Sequence, residues 1–290
     1  MRITALLTLL AAAASAFASA PASADIPKVV TDFGPTQSLV MDVMGSLGTP
    51  QALLPRGGDP HDFQLRPSQA DALAKADVVF WIGPELMPAL ADALTALASQ
   101  ARTVALLHTT PTRSFAEGGL DPHAWLDVTN GIAWLDTIAD TLAAKDPENA
   151  ATYHANAKAM QDRLTADDTA WRDALTKVGK RPFVAYHDAL GYFTTHFNLT
   201  MVGAIELSDA TPPSAARLSE IQGIITTGKA VCVFPEAGRD PKFITTLTDG
   251  LPVRVGKPQD VEFITTDSGA GQYELLLQHL VLGLAECLTP

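Results

Sequence analysis

The sequence predicts an α/β protein of two doubly wound lobes joined by one long rigid helix. Three observations carry that expectation. Short apolar, β-branched runs alternate with amphipathic stretches in each half of the chain, the pattern of βα units around a mostly parallel sheet. The most regular stretch of the chain, residues 146 to 179, lies between the two halves. The halves also share a unit, since RPSQADALAKADVVFWIGPE and PPSAARLSEIQGIITTGKAVCVFPE both run from a Pro-Ser pair through a helix to an apolar strand ending near Pro-Glu. That likeness is a loose internal echo rather than a strict repeat.

Residues 1 to 24 read as a secretory signal peptide: Arg2, the apolar run Leu6 to Ala13, and the small residues Ala22-Ser23-Ala24 before Asp25. The run is too short for a membrane span, and no cysteine lies near the cut to carry a lipid. A soluble exported protein is expected, most simply in a bacterial periplasm. With 32 acidic against 20 basic side chains and a net charge of −12, neither nucleic acid nor an anionic membrane is an expected partner, because both demand clustered Lys and Arg. The acidic balance reads as solubility, and a monomer is expected. Two cysteines, Cys232 and Cys287, stand in an oxidising compartment. One disulfide is the simplest reading, worth on the order of 4 kcal/mol for a loop of roughly 55 residues; two separate buried thiols are the alternative.

The first lobe is expected over residues 25 to 145. KVVTDF, QALLPRGG, DVVFWIG and TVALL read as strands, with helical stretches near Thr36 to Gly48, after Ser68, and near Met87 to Ala98. Ser68 with Asp71 fits a helix N-cap followed by an acidic third position. The linking helix is expected over 146 to 179. Asp146-Pro147-Glu148 forms its start, Tyr153, Ala157, Met160, Leu164, Trp171, Leu175 and Val178 form an apolar stripe, and Gly179 ends it. Such a helix is about 48 Å long at 1.5 Å per residue, a strut rather than a flexible crossover. The second lobe, 180 to 290, resumes the alternation with PFVAY, a strand near Met201 to Ile205, AVCVFPE and LPVRVG, with Ser214 placed to cap a helix.

Three of the seven histidines share a kind of setting. His61 lies in GGDPHDFQLRPSQ, His123 in LDPHAWLD and His187 in VAYHDALGYF, each at a junction between an expected strand and a helix. Open α/β sheets bind ligands outside the carboxyl ends of their strands, so the three can converge in the cleft between the lobes. Imidazole is a common zinc ligand, and a structural or transport site wants four donors. Asp260 and Asp267 are the candidate carboxylates, and the residues alone do not choose between them. His108, His154, His196 and His279 read as ordinary packing, capping or solvated residues. Phe63, Trp81, Trp125 and Tyr192 read as core that can also limit water near a metal. A zinc hydrolase is the competing class. It needs an open coordination position and a base among Asp59, Asp62 and Asp188, and no HExxH-like pair supports it.

GGDPHDFQLRPSQADALAKADVVFWIGPE, LDPHAWLD, VAYHDALGYFTTHFNL and AVCVFPE together resemble the metal-binding proteins of bacterial ABC importers, specifically the zinc-binding (ZnuA-type) branch. The resemblance runs from about residue 27 to the C-terminus, with four motifs in the same order. It implies two α/β lobes joined by one long helix, a Zn2+ ion carried between them, a membrane permease as partner, a periplasmic zinc chaperone as a further candidate partner, and no enzymatic activity. It implies His61, His123 and His187 as ligands. The manganese branch has Glu where His187 stands, and three imidazoles suit zinc better than manganese or iron. The family's aspartate falls shortly after the last strand and about a dozen residues before a Tyr, which selects Asp260 over Asp267, although the usual Leu-Asp-Pro context is absent. The resemblance also implies the Cys232–Cys287 disulfide. The His-rich loop common in the zinc branch is missing here, where PTRSFAEGGLDPH has no histidine before His123. No auxiliary ion site is expected in that loop.

Overall fold

Two parallel sheets of the same strand order face one another across a seam. The computed structural model describes residues 25–116, 118–207 and 213–289, the side chain of residue 243 excepted, so the expected signal peptide lies outside the described residues. The first sheet contains β1 (Val29–Thr31), β2 (Gln51–Ala52), β3 (Val78–Trp81) and β4 (Arg102–Ala105), in the order β2-β1-β3-β4 with every pairing parallel. The second contains β5 (Pro182–His187), β6 (Thr200–Glu206), β7 (Cys232–Val233) and β8 (Arg254–Val255), in the order β6-β5-β7-β8, again parallel. Every residue of β1 and β3 is buried, as expected where helices cover both faces of a parallel sheet. Those helices are α1 (Gly34–Met44), α2 (Pro67–Lys75), α3 (Pro88–Leu97) and α4 (Val128–Lys145) in the first half. In the second half they are α6 (Gly191–His196), α7 (Ala215–Thr226) and α8 (Pro241–Thr248). The echo noted in the sequence falls on α2 with β3 and on α7 with β7, the second helix and third strand of each sheet.

Several local expectations change in the structure. Ser68 is not the cap of α2. Pro67 opens the helix, and the Gln69 side chain reaches back to accept the Arg66 N–H at 2.6 Å. Ser214 does cap α7, accepting the Arg217 N–H at 3.1 Å. Only two residues of LPVRVG pair with a neighbour, because β8 is an exposed edge strand.

The linking helix, α5 (Ala150–Thr176), begins after a short 3-10 turn at Pro147–Asn149. Its 27 residues extend about 40 Å. Asp146 does not cap backbone with its side chain; its carboxylate accepts from the Asn149 amide at 2.8 Å and the Tyr153 hydroxyl at 2.9 Å. The apolar stripe of α5, from Tyr153 to Leu175, is buried against α4, α1 and the last helix, α9 (Gln272–Leu288).

That last helix is a second rigid tie between the halves. Its first N–H groups have no partner within the helix, and α1 supplies them: Gly271 donates to Asp42 Oδ1 at 2.9 Å and Tyr273 to Ser38 Oγ at 2.9 Å. One apolar core accordingly runs from the first sheet through α4, α5 and α9 into β5 and β7. A smaller core lies on the other face of the second sheet.

Cys232 in β7 and Cys287 in α9 form a disulfide across 55 residues of sequence, pinning α9 to the second sheet. Replacing both cysteines by serine is expected to lower the unfolding free energy by about 4 kcal/mol on loop entropy alone. A urea unfolding series on the purified variant reads this, and an unchanged midpoint would show that α9 holds its place without the bond.

Candidate metal centre

The repeated Asp-Pro-His signature has one structural meaning at both positions. Asp59 Oδ1 accepts the His61 N–H at 2.9 Å, and Asp121 Oδ1 accepts the His123 N–H at 2.9 Å. Each aspartate folds the chain into a tight turn by bonding the backbone two residues on. The intervening proline presets φ and has no N–H of its own to compete. Each turn leads into a 3-10 segment, Pro60–Asp62 and Ala124–Leu126. His187 arrives differently, as the last residue of β5.

The structure brings these three histidines together. His123 Nε2 and His187 Nε2 are 3.3 Å apart, and the ring centroids of the three pairs lie 5.2 to 6.4 Å apart. The fourth member of the cluster is Glu262. Its Oε1 lies 2.9 Å from His61 Nε2, 3.5 Å from His123 Nε2 and 3.6 Å from His187 Nε2. Four donor atoms, one from each residue, fall within 4.8 Å of one another. A tetrahedral ion with bonds near 2.0–2.1 Å wants donor separations of about 3.4 Å, and these distances bracket that value. His123, His187 and Glu262 are at most 3% exposed. Glu262 Oε2 is buried and accepts no hydrogen bond among the described residues, a lone pair left for something other than protein.

Asp260 is not in the cluster. Its Oδ1 accepts the Ile264 N–H at 2.6 Å, and its Oδ2 accepts from the N–H and hydroxyl groups of Thr265 and Thr266 at 2.7–2.9 Å. Both oxygens are thus committed to folding the loop that follows. Asp267, the other carboxylate weighed from the sequence, pairs with Arg56 at 2.5 Å on the surface. The family pattern points to an aspartate and so leads past Glu262. The available signal was an acid set between two apolar residues, Val261 and Phe263, both of which are buried.

The loop that presents Glu262 is held by its neighbours on either side. Trp125 Nε1 donates to the Val261 carbonyl at 2.9 Å, tying the loop to the turn after His123. Phe263 has φ +63°, a left-handed conformation costly for a side chain with Cβ. Its ring lies over Gly34, where a Cβ would come within 2.0 Å of it, so only glycine fits beneath it. Buried packing on the first turn of α1 holds Phe263 in this conformation and turns Glu262 inward.

Carboxylates also orient the rings from behind. Asp121 Oδ1 lies 2.7 Å from His123 Nδ1, and Glu236 Oε2 bonds His187 Nδ1. Each therefore points the opposite nitrogen, Nε2, into the cluster, the usual arrangement behind a ligating imidazole. Burial works against charge on His123, but the carboxylates of Asp121 and Glu262 outweigh it and raise its pKa above the ordinary imidazole value. Burial likewise pushes the Glu262 carboxyl up, yet hydrogen bonds from His123 and His61 and the nearby imidazole charge hold it well below the usual carboxylate range. Without an ion, the cluster pairs a carboxylate whose ionised form is favoured with a His123 ring whose protonated form is favoured by its two carboxylate neighbours.

The remaining histidines are elsewhere. His196 is held between Asp127 at 3.0 Å and Asp168 at 2.7 Å, a buried tie between α4, α5 and α6. His108 pairs with Glu85 at 3.2 Å and His154 lies 3.8 Å from Asp140, both on the surface. Trp125 lies tilted and Phe115 edge-on beside His123, with centroids 5.1 and 6.2 Å away; Trp125 is thus part of the apolar wall of the site.

Two parallel-sheet lobes with three imidazoles and a carboxylate gathered at their seam have the form of a metal-binding solute receptor. Residues 29–287 match the family described as zinc-uptake complex component A, periplasmic. The chain belongs to that family. It is 42% identical, over 318 aligned positions covering 97% of this chain and 98% of the other, to the high-affinity zinc uptake system protein ZnuA of Paracoccus denitrificans. It is 27% identical to the manganese-binding lipoprotein MntA of Halalkalibacterium halodurans, over 88% of this chain and 86% of the other. In fold it is similar to the periplasmic zinc binding protein TroA from Treponema pallidum, with a TM-score of 0.84 and 23% identity over 91% of this chain and 99% of the other. Among the described residues no helix is long and apolar enough to cross a membrane.

Proposed function

We propose that this protein is a periplasmic receptor that captures one Zn2+ ion between its lobes and delivers it to the membrane permease of an ABC-type importer. The observation that carries the reading is the convergence of His61, His123, His187 and Glu262 on one buried point. Three imidazoles and one carboxylate form a donor set suited to zinc. Four protein donors are the closed set of a carrier or structural site, whereas a catalytic zinc site keeps three and leaves a position for water. Asp59, one of the bases a hydrolase would need, is occupied by the His61 N–H and by Arg239, 3.3 Å away. A periplasmic zinc chaperone is a candidate supplier of the ion. The similarity to zinc uptake proteins over nearly the whole chain supports both cargo and compartment.

Manganese is the second reading, favoured by the glutamate in the donor set and by the manganese-binding relative. Competition decides between them. The chelator-stripped protein is expected to take up one zinc per chain and to keep it against a large excess of manganese, as read by calorimetry and metal analysis. Imidazoles must be neutral to ligate, so binding expels protons. Because Asp121 and Glu262 raise the His123 pKa, zinc affinity is expected to fall steadily as pH drops from about 8 to about 5.5. Preferential retention of manganese, or zinc affinity indifferent to pH over that range, would overturn the assignment.

A further inference from the structure

The segment that carries His61 is tied across the seam by two arginines, Arg56 on the segment itself and Arg239 from the other lobe, neither of them in the cluster. Arg56 sends Nη1 to Asp267 Oδ1 at 2.5 Å and Nη2 to the Thr265 carbonyl at 2.7 Å. Beside it, the Gly57 N–H donates to the Ile264 carbonyl at 3.0 Å. All three acceptors belong to the loop that presents Glu262. From the other direction, Arg239 follows β7 and lies 3.3 Å from Asp59 Oδ2 and 3.4 Å from Glu236 Oε1. Asp59 fixes the His61 N–H and Glu236 bonds the His187 ring. Each arginine therefore spans a donor-bearing loop of one lobe and a donor-bearing loop of the other.

The two contacts differ in what they can do. Arg239 is mostly buried, its side chain 24% exposed, and it is bound up with the orientation of His187. The Arg56–Asp267 pair lies on the surface, 58% and 76% exposed. A cavity of about 370 Å3, lined among others by Arg56, Gly58, Glu262, Phe263 and Thr266, lies directly against it. Parting Arg56 from the 265–267 segment removes two of these three bonds between the His61 and Glu262 loops without touching a donor atom, leaves the Gly57–Ile264 bond easier to open, and does so beside a cavity that Glu262 itself lines. The long helix α5 and the docked α9 oppose wide rotation of the lobes, so a local parting of this kind is the smaller displacement.

We propose that Arg56 is a positioning residue, a surface latch between the His61 and Glu262 loops that sets how long a captured ion stays. The proposal rests on the zinc-receptor reading for its cargo, but the latch itself does not need the ion. Exposed ion pairs are weak and screened by salt, which suits a contact that must open in every transport cycle.

The test uses the full mature chain with Arg56→Gln and Arg56→Lys, each first shown to have the parental urea midpoint. In metal-free protein, hydrogen exchange at the Gly57 amide is expected to quicken about five- to tenfold in Arg56→Gln. Zinc release to an excess of chelator, followed by stopped flow, is expected to quicken by a similar factor, with association within about twofold of the parent. Release from the parent should accelerate with added salt and release from Arg56→Gln should not. Arg56→Lys, which can satisfy only one of the two acceptors at a time, should fall between. Unchanged exchange at Gly57 overturns the latch, and faster exchange with unchanged release overturns its role in residence time. A parent chain that binds no zinc sinks the receptor reading instead, while the exchange measurement still decides whether the latch exists.

Discussion

Alanine at His61 is expected to weaken zinc binding by about two to three orders of magnitude while leaving the metal-free fold intact. Four-donor zinc sites in small proteins hold about 10–16 kcal/mol. An even share assigns about 2.5–4 kcal/mol to each donor, and about 1.4 kcal/mol is tenfold in affinity. His61 suits the test because its side chain is 17% exposed and its turn is built by Asp59 and Pro60 rather than by the imidazole. His187→Ala should lose as much affinity and lose stability as well. It leaves Glu236 in the core with Arg239 but without its imidazole partner, and removing one partner of a buried charge is costly. Calorimetric titration of both variants, beside their urea midpoints, separates the two effects. If His61→Ala bound zinc as tightly as the parent, the ion would not sit where these rings meet.

The second large effect distinguishes two acids in one loop. Glu262→Gln keeps the shape of the side chain and removes the only carboxylate in the cluster, so a loss of about 100-fold or more is expected on the same arithmetic. Asp260→Ala should act on the loop instead. It strips the acceptor from the N–H groups of Ile264, Thr265 and Thr266, so hydrogen exchange at those three amides should rise sharply. Its zinc affinity should fall less than that of Glu262→Gln, through disorder in a loop that still carries its donor. The reverse pattern, with Asp260→Ala abolishing binding and Glu262→Gln tolerated, would restore the aspartate as the ligand and displace the glutamate.

The choice between these acids shows where sequence reasoning stopped. Asp260 and Glu262 are two residues apart, and periodicity cannot separate them in an irregular loop. What separates them is that five donors from residues 264 to 266 converge on Asp260, while Trp125 and the left-handed Phe263 turn Glu262 inward. The aspartate is the more loop-like residue, and it does the loop's work. His196 is a related case. Nothing local marks it, yet it ties three helices together through Asp127 and Asp168. Burial opposes its protonation, and the two carboxylates overcome that to raise its pKa.

The sequence by itself determined the two parallel sheets, the helix between them and the turns that carry His61 and His123. Those features rest on short-range rules: continuous apolar runs for strands buried on both faces, threefold and fourfold spacing along a helix, and an aspartate that bonds the backbone across a proline. Only the tertiary structure decided the fourth donor, the capping of α9 by Ser38 and Asp42 from the opposite end of the chain, and the grip of Arg56 on the 265–267 segment. Those contacts join residues more than 130 positions apart. No local preference encodes such a pair, because it exists only once both lobes have packed on the shared core and brought the two loops to one seam.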